Sequence, residues 1–310
     1  MKRYILLTCI LISIFVLLAK EQRLSMTLDR TIAIPKIQNF LNFAVSDSFL
    51  YLYESGNKVK QKSYCFNLNG TQITSFNVET ESLYEPLLRM NYWFFNKQIS
   101  LYDIRQYRVD FYNIYGKIIE SKNNIKDNEL FWDFSELDNE KYYLTWVLPS
   151  TKLEYVWNLY KEDENKNMTL LKSYKLPYEQ LKDIPIKDIP NIERGLFIDS
   201  NKNKIMAISE KVSEGYRVSV YKEKSMLSIL ISEVENKILQ DIKIGDSFIL
   251  MAFSKKNGKS FEYRIYDFTD NYKGNIKNTK NAPLKILGDQ IYLLEQRKKQ
   301  INSYSIQINS

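Results

Sequence analysis

Histidine is absent from all 310 positions of the sequence, and cysteine, proline and glycine are scarce, at 2, 7 and 9 residues. Without histidine the chain cannot build a Ser/His/Asp or Cys/His relay, a His-ligated zinc site or an imidazole that titrates near neutral pH. An enzyme made from this chain would depend on Asp, Glu, Tyr, Lys or Arg. Carboxylate pairs and calcium sites built from oxygen ligands are the chemistries that stay open.

The two cysteines, Cys9 and Cys65, leave little room for a disulfide-stabilised fold. If Cys9 lies in a leader segment that is removed, Cys65 has no partner within the chain. Cys65 stands between Tyr64 and Phe66 in a predicted strand, which favours a buried, unreactive thiol. Stability is therefore expected to come from packing.

The N-terminus carries one long apolar run, from Tyr4 to Ala19, behind a short basic segment. The run is shorter than the roughly 20 residues that span a bilayer, and it is typical of a signal-peptide core. The bulky Leu17 stands where a cleavage site usually has a small residue, so retention as an anchor stays open. We predict that residues 1–24 are a signal peptide or an uncleaved membrane anchor, with membrane contact through residues 4–19 in the second case. The protein is then periplasmic, extracellular or anchored facing outward.

The charge of the chain is mildly basic, with 44 Lys and Arg against 37 Asp and Glu and a formal net charge of +7. Proteins that bind nucleic acids concentrate such charge in one stripe with arginines and stacking aromatics, whereas the lysines here are scattered. We therefore predict no nucleic-acid partner. For an exported protein, anionic envelope polymers or lipid headgroups are the more natural partners for this charge, and an ordinary solvated surface explains it more simply than either.

Aromatic side chains make up 14% of the chain, with 23 Tyr and 16 Phe. Such side chains fit the pleated, half-buried surface of a sheet. The 44% hydrophobic and 26% charged content is ordinary for a globular protein. Together these values favour an all-β domain that buries a substantial core.

A short pattern recurs six times along the chain: an apolar run, a polar connector that usually carries Asp or Asn, and a second apolar run. The connectors are marked by Asp47, Asn96, Asp138, Asp199, Asp246 and Asp289. Further turn signals, such as Asn69-Gly70, which we interpret as a type I′ turn, leave room for four short strands in each unit. A repeat of roughly 40 to 50 residues with this content predicts a six-bladed β-propeller, and we assign residues 25–310 to it as one domain.

The two ends of the chain predict how the ring closes. Two strands, Ile291–Gln296 and Ile301–Ile308, follow the last connector, and two unassigned runs, Thr31–Pro35 and Phe40–Val45, precede the first. We expect the N-terminal strands to complete the last blade, which would leave no exposed sheet edge between blades one and six.

One unit is longer than the others, and its excess lies in the proline-containing segment 173–194. Proline removes hydrogen-bond donors that a strand interior needs, so this segment is predicted to be a loop. It either covers the outer edge of a blade or contacts a partner.

The connectors define the candidate site. We interpret each one as the link from the outer strand of one blade to the inner strand of the next, which places four carboxylates around the channel mouth: Asp47, Asp199, Asp246 and Asp289. One interpretation is that they converge as metal ligands. The other is that each side chain caps its own turn, as Asp and Asn commonly do. The sequence predicts no catalytic residue and no cofactor, and calcium enters only under the first interpretation.

The pattern resembles the six-bladed β-propeller superfamily of exported bacterial proteins, in architecture alone, over about residues 31–308. It lacks the Trp-Asp ending of WD40 blades, the paired glycines of kelch repeats and the Asp-boxes of sialidases. The resemblance implies a group that includes calcium-dependent lactonases, periplasmic scaffolds and binding modules, so the fold alone cannot choose among them. We predict an exported cell-envelope binding or scaffold protein that presents a propeller rim to a protein or glycan partner. The alternative is an exported calcium-dependent hydrolase or lactonase with acidic residues at the channel mouth.

Overall fold

The structure is a computed structural model. It describes residues 24–34, 40–54, 60–79, 88–93, 97–103, 108–123, 125–126, 128–138, 140–147, 154–177, 195–222, 225–232, 234, 237–255, 261–269, 272–278 and 284–308. Within these ranges the chain forms strands almost throughout, as its composition predicts. The strands build six four-stranded antiparallel sheets, and each sheet is one blade.

The first three blades follow the chain order, with the first strand of each innermost. Blade one consists of β2 (Phe40–Val45), β3 (Phe49–Glu54), β4 (Lys60–Asn67) and β5 (Gln72–Glu79). Blade two consists of β6 (Leu88–Trp93), β7 (Gln98–Asp103), β8 (Arg108–Tyr112) and β9 (Ile118–Asn123). Blade three consists of β10 (Glu129–Leu137), β11 (Glu140–Val147), β12 (Glu154–Glu162) and β13 (Met168–Pro177).

The remaining blades repeat this plan, except that the sixth also takes β1 (Leu24–Ala33). Blade four consists of β14 (Leu196–Ser200), β15 (Ile205–Val212), β16 (Gly215–Lys222) and β17 (Ser225–Ser232). Blade five consists of β18 (Lys237–Ile244), β19 (Phe248–Lys255), β20 (Phe261–Asp267) and β21 (Tyr272–Asn278). Blade six consists of β22 (Leu284–Leu287), β23 (Gln290–Glu295), β24 (Gln300–Ile308) and β1.

The first strands of the blades form a ring around the axis. Each contacts the first strand of the next blade, from β2 through β6, β10, β14 and β18 to β22, and β22 contacts β2. The protein is therefore a six-bladed β-propeller, as the repeat predicts.

The hydrophobic core is divided among the junctions between adjacent blades. Each of the six buried clusters in the described ranges combines side chains from two neighbouring blades. The cluster between blades six and one joins Tyr292 and Leu294 to Phe43 and Leu52. Alternate residues of a strand point to opposite faces, so each blade buries apolar side chains on both sides. This explains why many strands read as nearly continuous apolar runs.

Blade six combines both ends of the described chain. β1 pairs antiparallel with β24, from Leu24 opposite Ile308 to Ala33 opposite Gln300. The prediction that both N-terminal runs join the last blade is wrong for Phe40–Val45, because this run is β2 and begins blade one. The C-terminal segment supplies three strands instead of two, because the short apolar run Leu284–Leu287 forms β22.

The polar connectors are hairpin turns within blades, which corrects their predicted position between blades. Asp47 lies between β2 and β3, and Asp246 and Asp289 occupy the corresponding turns of blades five and six. We call these first-to-second-strand turns the rim hairpins. The turn at Asn69-Gly70 is also corrected: only Gly70 has a positive φ, of 85°, whereas a type I′ turn needs two such residues.

The predicted loop 173–194 begins later than expected, because residues 173–177 belong to β13 (Met168–Pro177). Several predictions fall on residues outside the described ranges, namely those for the apolar run at Tyr4–Ala19, the connector at Asn96 and the rest of this loop, residues 178–194. In the described part of the chain, no helix is long and apolar enough to span a membrane. Cys65 is buried and unpaired as a thiol, as the sequence predicts.

Candidate functional site: the channel mouth and the charged channel wall

The rim hairpins of five blades meet through polar contacts at one end of the propeller. The hairpin of blade four, residues 199–204, lies at the centre of these contacts, and we call it the central hairpin. Its side chains reach blade three through Lys204 and Asp138, blade five through Asn201 and Asp246, and blade one through Lys202 and Asp47. The hairpins of blades five and six are joined through Asp289.

Asn201 fixes the shape of the central hairpin and attaches it to blade five. Its Oδ1 accepts hydrogen bonds from the backbone N–H groups of Asn203 (3.0 Å) and Ile205 (3.1 Å), so the side chain caps its own turn. Its Nδ2 donates to the Gly245 carbonyl and to Asp246 Oδ1, both at 2.9 Å. Asn201 is buried, and this full set of partners removes the desolvation cost of its amide.

Lys202 crosses the mouth of the channel. Its Nζ lies 2.8 Å from Asp47 Oδ1 in blade one, and blades one and four are on opposite sides of a six-membered ring. Its Cε also approaches Gly288 in the rim hairpin of blade six. The hydrogen bond to Asp47 raises the pKa of Lys202 against the effect of desolvation, and the charge of Asp246 adds to the increase. The mouth therefore carries a fixed positive charge among carboxylates.

Asp246 and Asp289 form an acidic pair on the side of blades five and six. Asp246 Oδ2 accepts a hydrogen bond of 2.6 Å from Asn203 Nδ2. Asp289 Oδ1 accepts from the backbone N–H groups of Asp246 and Ser247, both at 3.0 Å. Desolvation, and then the charge of Asp289, raise the pKa of Asp246.

The carboxylates of the four predicted aspartates therefore do not converge on one point, and their hydrogen bonds do not go to their own turns. Asp47 contacts the central hairpin, Asp246 contacts Asn201 and Asn203, and Asp289 contacts the backbone of blade five. Asp199 also bonds blade five, through the N–H of Ile244 at 2.7 Å. Their common role is to link blades, so the turn-capping interpretation is wrong for these side chains. Among the residues that the structure describes, no group of three or more His, Cys, Asp or Glu could hold a metal ion.

A second set of charges, which the connector pattern does not indicate, lies on the first strands of blades three to six, below the rim. Lys243 in β18 lies at its centre, with Nζ 3.3 Å from Asp199 Oδ1 and 3.2 Å from Asp241 Oδ1. The same Nζ donates to the Ile242 carbonyl at 3.0 Å, so its three N–H groups have acceptors. Asp133 in β10 and Lys285 in β22 interact electrostatically with this centre. We call these five residues the channel cluster.

The channel cluster is largely, but not completely, removed from solvent. The side chains of Asp199 and Lys243 keep 18% and 13% of their surface accessible. Burial raises the pKa of Asp199 to about 6, against the opposing effects of Lys243 and the Ile244 N–H. Burial acts to lower the pKa of Lys243, but the carboxylates of Asp199 and Asp241 outweigh it and raise that pKa.

Lys285 has the opposite perturbation. Burial, and then repulsion from Lys243, lower its pKa to about 8. The channel therefore contains an acid and an amine that titrate on either side of neutral pH, a combination that occurs often at ligand-binding and catalytic sites. Such a wall can hold small ligands that carry both charges.

The sequence signal for the channel cluster is a charged residue inside an otherwise apolar first strand. Asp133 interrupts an aromatic run in β10, and Asp241 follows Leu239 and Gln240 in β18. Both strands change register at these positions, and each carboxylate accepts a hydrogen bond from the next backbone N–H, that of Phe134 or Ile242. Bulges of this kind redirect side chains and are common beside functional sites.

No protein-family model and no curated protein matches the chain. The described architecture defines the class as a six-bladed β-propeller, and solved bacterial proteins are similar to it over most of their length. A member of the DUF4221 family from Bacteroides vulgatus has a TM-score of 0.60 at 10% identity, covering 93% of this chain and 99% of that one. A hypothetical exported protein from Bacteroides fragilis has a TM-score of 0.56 at 10% identity, covering 93% and 95%. A gluconolactonase from Xanthomonas campestris has a TM-score of 0.52 at 6% identity, covering 91% of each chain. These similarities show the shared fold.

Proposed function

We propose that the protein is an exported cell-envelope binding or scaffold protein that presents the rim around the central hairpin to a protein or glycan partner. The observation that carries the proposal is the fixed geometry of this hairpin, which bonds blades one, three and five at once. Side chains held in one arrangement lose little conformational freedom when a partner binds, so a pre-organised rim favours affinity. Export is supported by the N-terminal apolar run and by the name of one structurally similar protein, from Bacteroides fragilis.

The chemistry of the rim suits recognition of polar groups. Asp47, Asp138 and Lys204 keep about half or more of their side-chain surface exposed while they take part in ion pairs. Such a surface offers both donors and acceptors to hydroxyl groups of a glycan or to polar side chains of a protein. Exposed ion pairs contribute little to stability, so their arrangement can serve binding at small cost to the fold.

Site-specific photocrosslinking in the native host tests the proposal. A benzophenone amino acid replaces Ser48, which is exposed in the rim hairpin of blade one, and the matched control replaces Lys298, in the turn between β23 and β24. Second-to-third-strand turns lie at the other end of a blade, so the control samples the opposite rim. We expect a protein or glycan adduct from position 48, its loss when Lys202→Glu is added, and none from position 298. Equal labelling from both positions, or none from position 48, contradicts the proposal.

A calcium-dependent hydrolase is the second candidate, and the acidic pair Asp246 and Asp289 is the observation that favours it. Both carboxylates lie at the mouth, and the pKa of Asp246 is raised by burial and by its neighbour, a repulsion that a cation would relieve. Thermal unfolding with calcium and with a chelator separates the candidates. The hydrolase requires a calcium-dependent increase in melting temperature that Asp246→Asn abolishes, whereas the binding protein shows no such dependence.

A further inference from the structure

The outer edge of blade four differs from the outer edges of the other five blades. Among the residues that the structure describes, each outermost strand pairs with a neighbour on one side only, which leaves backbone N–H and C=O groups along its other side. Natural sheets protect such edges with charged residues, proline, or bulges that twist the strand away.

Five of the outer strands carry this protection. These strands are β5, β9, β13, β21 and β1. In each case the ladder between the outer strand and its neighbour contains a register shift. Each of these strands also contains at least one charged residue, such as Glu79 in β5 or Lys172 in β13. β17 has neither feature. Its pairing with β16 is regular from Gly215 opposite Ser232 to Lys222 opposite Ser225.

The sequence of β17, SMLSILIS, contains no charged residue, proline or glycine. Ile229 and Ile231 are buried in the core between blades four and five and hold the strand in place. Met226, Leu227 and Leu230 remain exposed, at 60%, 43% and 48%. A long, flat, apolar edge of this kind is a template for pairing with another strand.

The pattern of β17 is self-complementary in one antiparallel register. When two copies of the strand pair around Ser228, residues directly opposite each other lie on the same face. Met226 then faces Leu230 of the second copy, Ser228 faces Ser228, and Leu227 faces Ile229. Around the central polar pair apolar residues meet apolar residues, and at each end of the ladder Ser225 faces Ile231.

The flanking sequence favours the same arrangement. The segment before β17, Lys222-Glu223-Lys224, has a net charge of +1, and the segment after it, Glu233-Val234-Glu235, has a net charge of −2. Antiparallel pairing brings the beginning of one strand to the end of the other, so basic and acidic ends meet. The chain as a whole has a net charge of +7, which opposes association through most other surfaces.

We infer that β17 is a homodimerisation edge, where two copies of the chain join blade four to blade four as one continuous eight-stranded antiparallel sheet. The occupant of the edge is a second copy of this chain, because the strand complements itself both in apolar pattern and in flanking charge. This inference is independent of the proposed rim function. The axis of such a dimer runs through the outer edge of blade four and leaves the channel mouths free.

Analytical ultracentrifugation of the full chain tests the inference by measuring its oligomeric state. The protein keeps its native N-terminus, and detergent is added if the apolar run is retained. Ser228→Lys places two ammonium groups opposite each other at the dimer centre, and the position is exposed, so the fold is expected to persist. Ser75→Lys makes the same change at an exposed position of the outer strand β5 and serves as the matched control. We expect a dimer for the wild type and the control, and for Ser228→Lys a monomer that keeps the β-sheet circular dichroism spectrum of the wild type and has a melting temperature independent of protein concentration. A monomeric wild type, or a Ser228→Lys protein that stays dimeric, overturns the inference.

Cysteine crosslinking checks the register. Ser228→Cys is expected to form an intermolecular disulfide under mild oxidation, because the residue lies opposite itself. Ser232→Cys is the control; the two copies of residue 232 would be about eight residues, or roughly 26 Å, apart along the sheet, too far for a disulfide. Crosslinking at 232 without crosslinking at 228 overturns the proposed pairing, and so does capture of a different protein at position 228 in the native host.

Discussion

The pH dependence of stability is expected to reveal the channel cluster through a single substitution, Asp199→Asn. Burial raises the pKa of Asp199 from its ordinary value of 3.8 to about 6. Because the folded state then binds the proton more readily than the unfolded state, Asp199 contributes stability that is present at low pH and is lost as the pH rises through about 6. Between pH 7 and pH 5 this linkage amounts to about 1.3 kcal/mol in favour of the fold at the lower pH.

Urea unfolding at a series of pH values measures the effect. The asparagine has no proton to gain, so the difference in free energy of unfolding between wild type and Asp199→Asn should grow by about 1.3 kcal/mol as the pH falls from 7 to 5. All other carboxylates are present in both proteins, so their contributions to the pH dependence of the free energy of unfolding cancel in the difference. The carboxyl of Asp199 keeps 18% of its surface accessible, so water in the channel reduces the measured value somewhat.

Asp163→Asn is the matched control. Backbone and side-chain hydrogen bonds from Asn167 lower the pKa of this exposed carboxyl below 3.8, so it stays ionised in both states between pH 5 and 7. Its substitution should leave the pH dependence in this window unchanged. If the wild type and Asp199→Asn curves run parallel, Asp199 is not a buried, perturbed acid and the account of the channel wall is wrong.

Two further predictions concern buried groups in blades three and one. Glu129→Ala should lower the free energy of unfolding by about 3 to 5 kcal/mol, because alanine leaves three buried donors unpaired. The carboxylate of Glu129 accepts hydrogen bonds from Thr145 (3.1 Å), Asn158 (3.1 Å) and Tyr160 (3.0 Å). Urea unfolding measures this loss, with Glu129→Gln expected to lose less because an amide oxygen remains. Cys65 should resist iodoacetamide at pH 8 until the protein is unfolded, since burial raises the pKa of its thiol to about 11.

The outcomes that would contradict these two predictions are distinct. A loss below about 1 kcal/mol for Glu129→Ala would mean that water satisfies the three donors and that the site is open. Rapid alkylation of Cys65 in the folded protein would mean that blade one opens locally. This second measurement needs a Cys9→Ser background, in which Cys65 is the one remaining thiol.

The repeat in the sequence predicts the six blades but leaves their starting point open. A polar turn with Asp or Asn occurs equally well inside a blade or between blades, so spacing alone cannot decide which strands share a sheet. The predicted boundaries between blades are therefore displaced by one strand, which places Phe40–Val45 in the last blade instead of the first. The deciding contacts are between residues far apart in the chain, such as Thr27 with Ser305.

The candidate site was predicted in part. Asp47, Asp199, Asp246 and Asp289 lie at or just below one rim, but their partners come from other blades, and no local pattern specifies such contacts. The channel cluster was not predicted, and Lys243 shows why. It lies in an apolar strand where a sequence-based interpretation expects a core side chain, and its charge is stabilised by Asp199 from the neighbouring blade.

The central claim is a ring of six blades in which β1 is the outermost strand of the last blade. Disulfide formation in the double variant Ser25→Cys with Gln307→Cys tests it directly, because these residues lie opposite each other on β1 and β24. The control pairs Ser25→Cys with Gln300→Cys, seven residues further along β24 and about 23 Å away. The account predicts an intramolecular disulfide in the first variant and none in the control. Failure of the first pair to crosslink, or equal crosslinking of both, would contradict it.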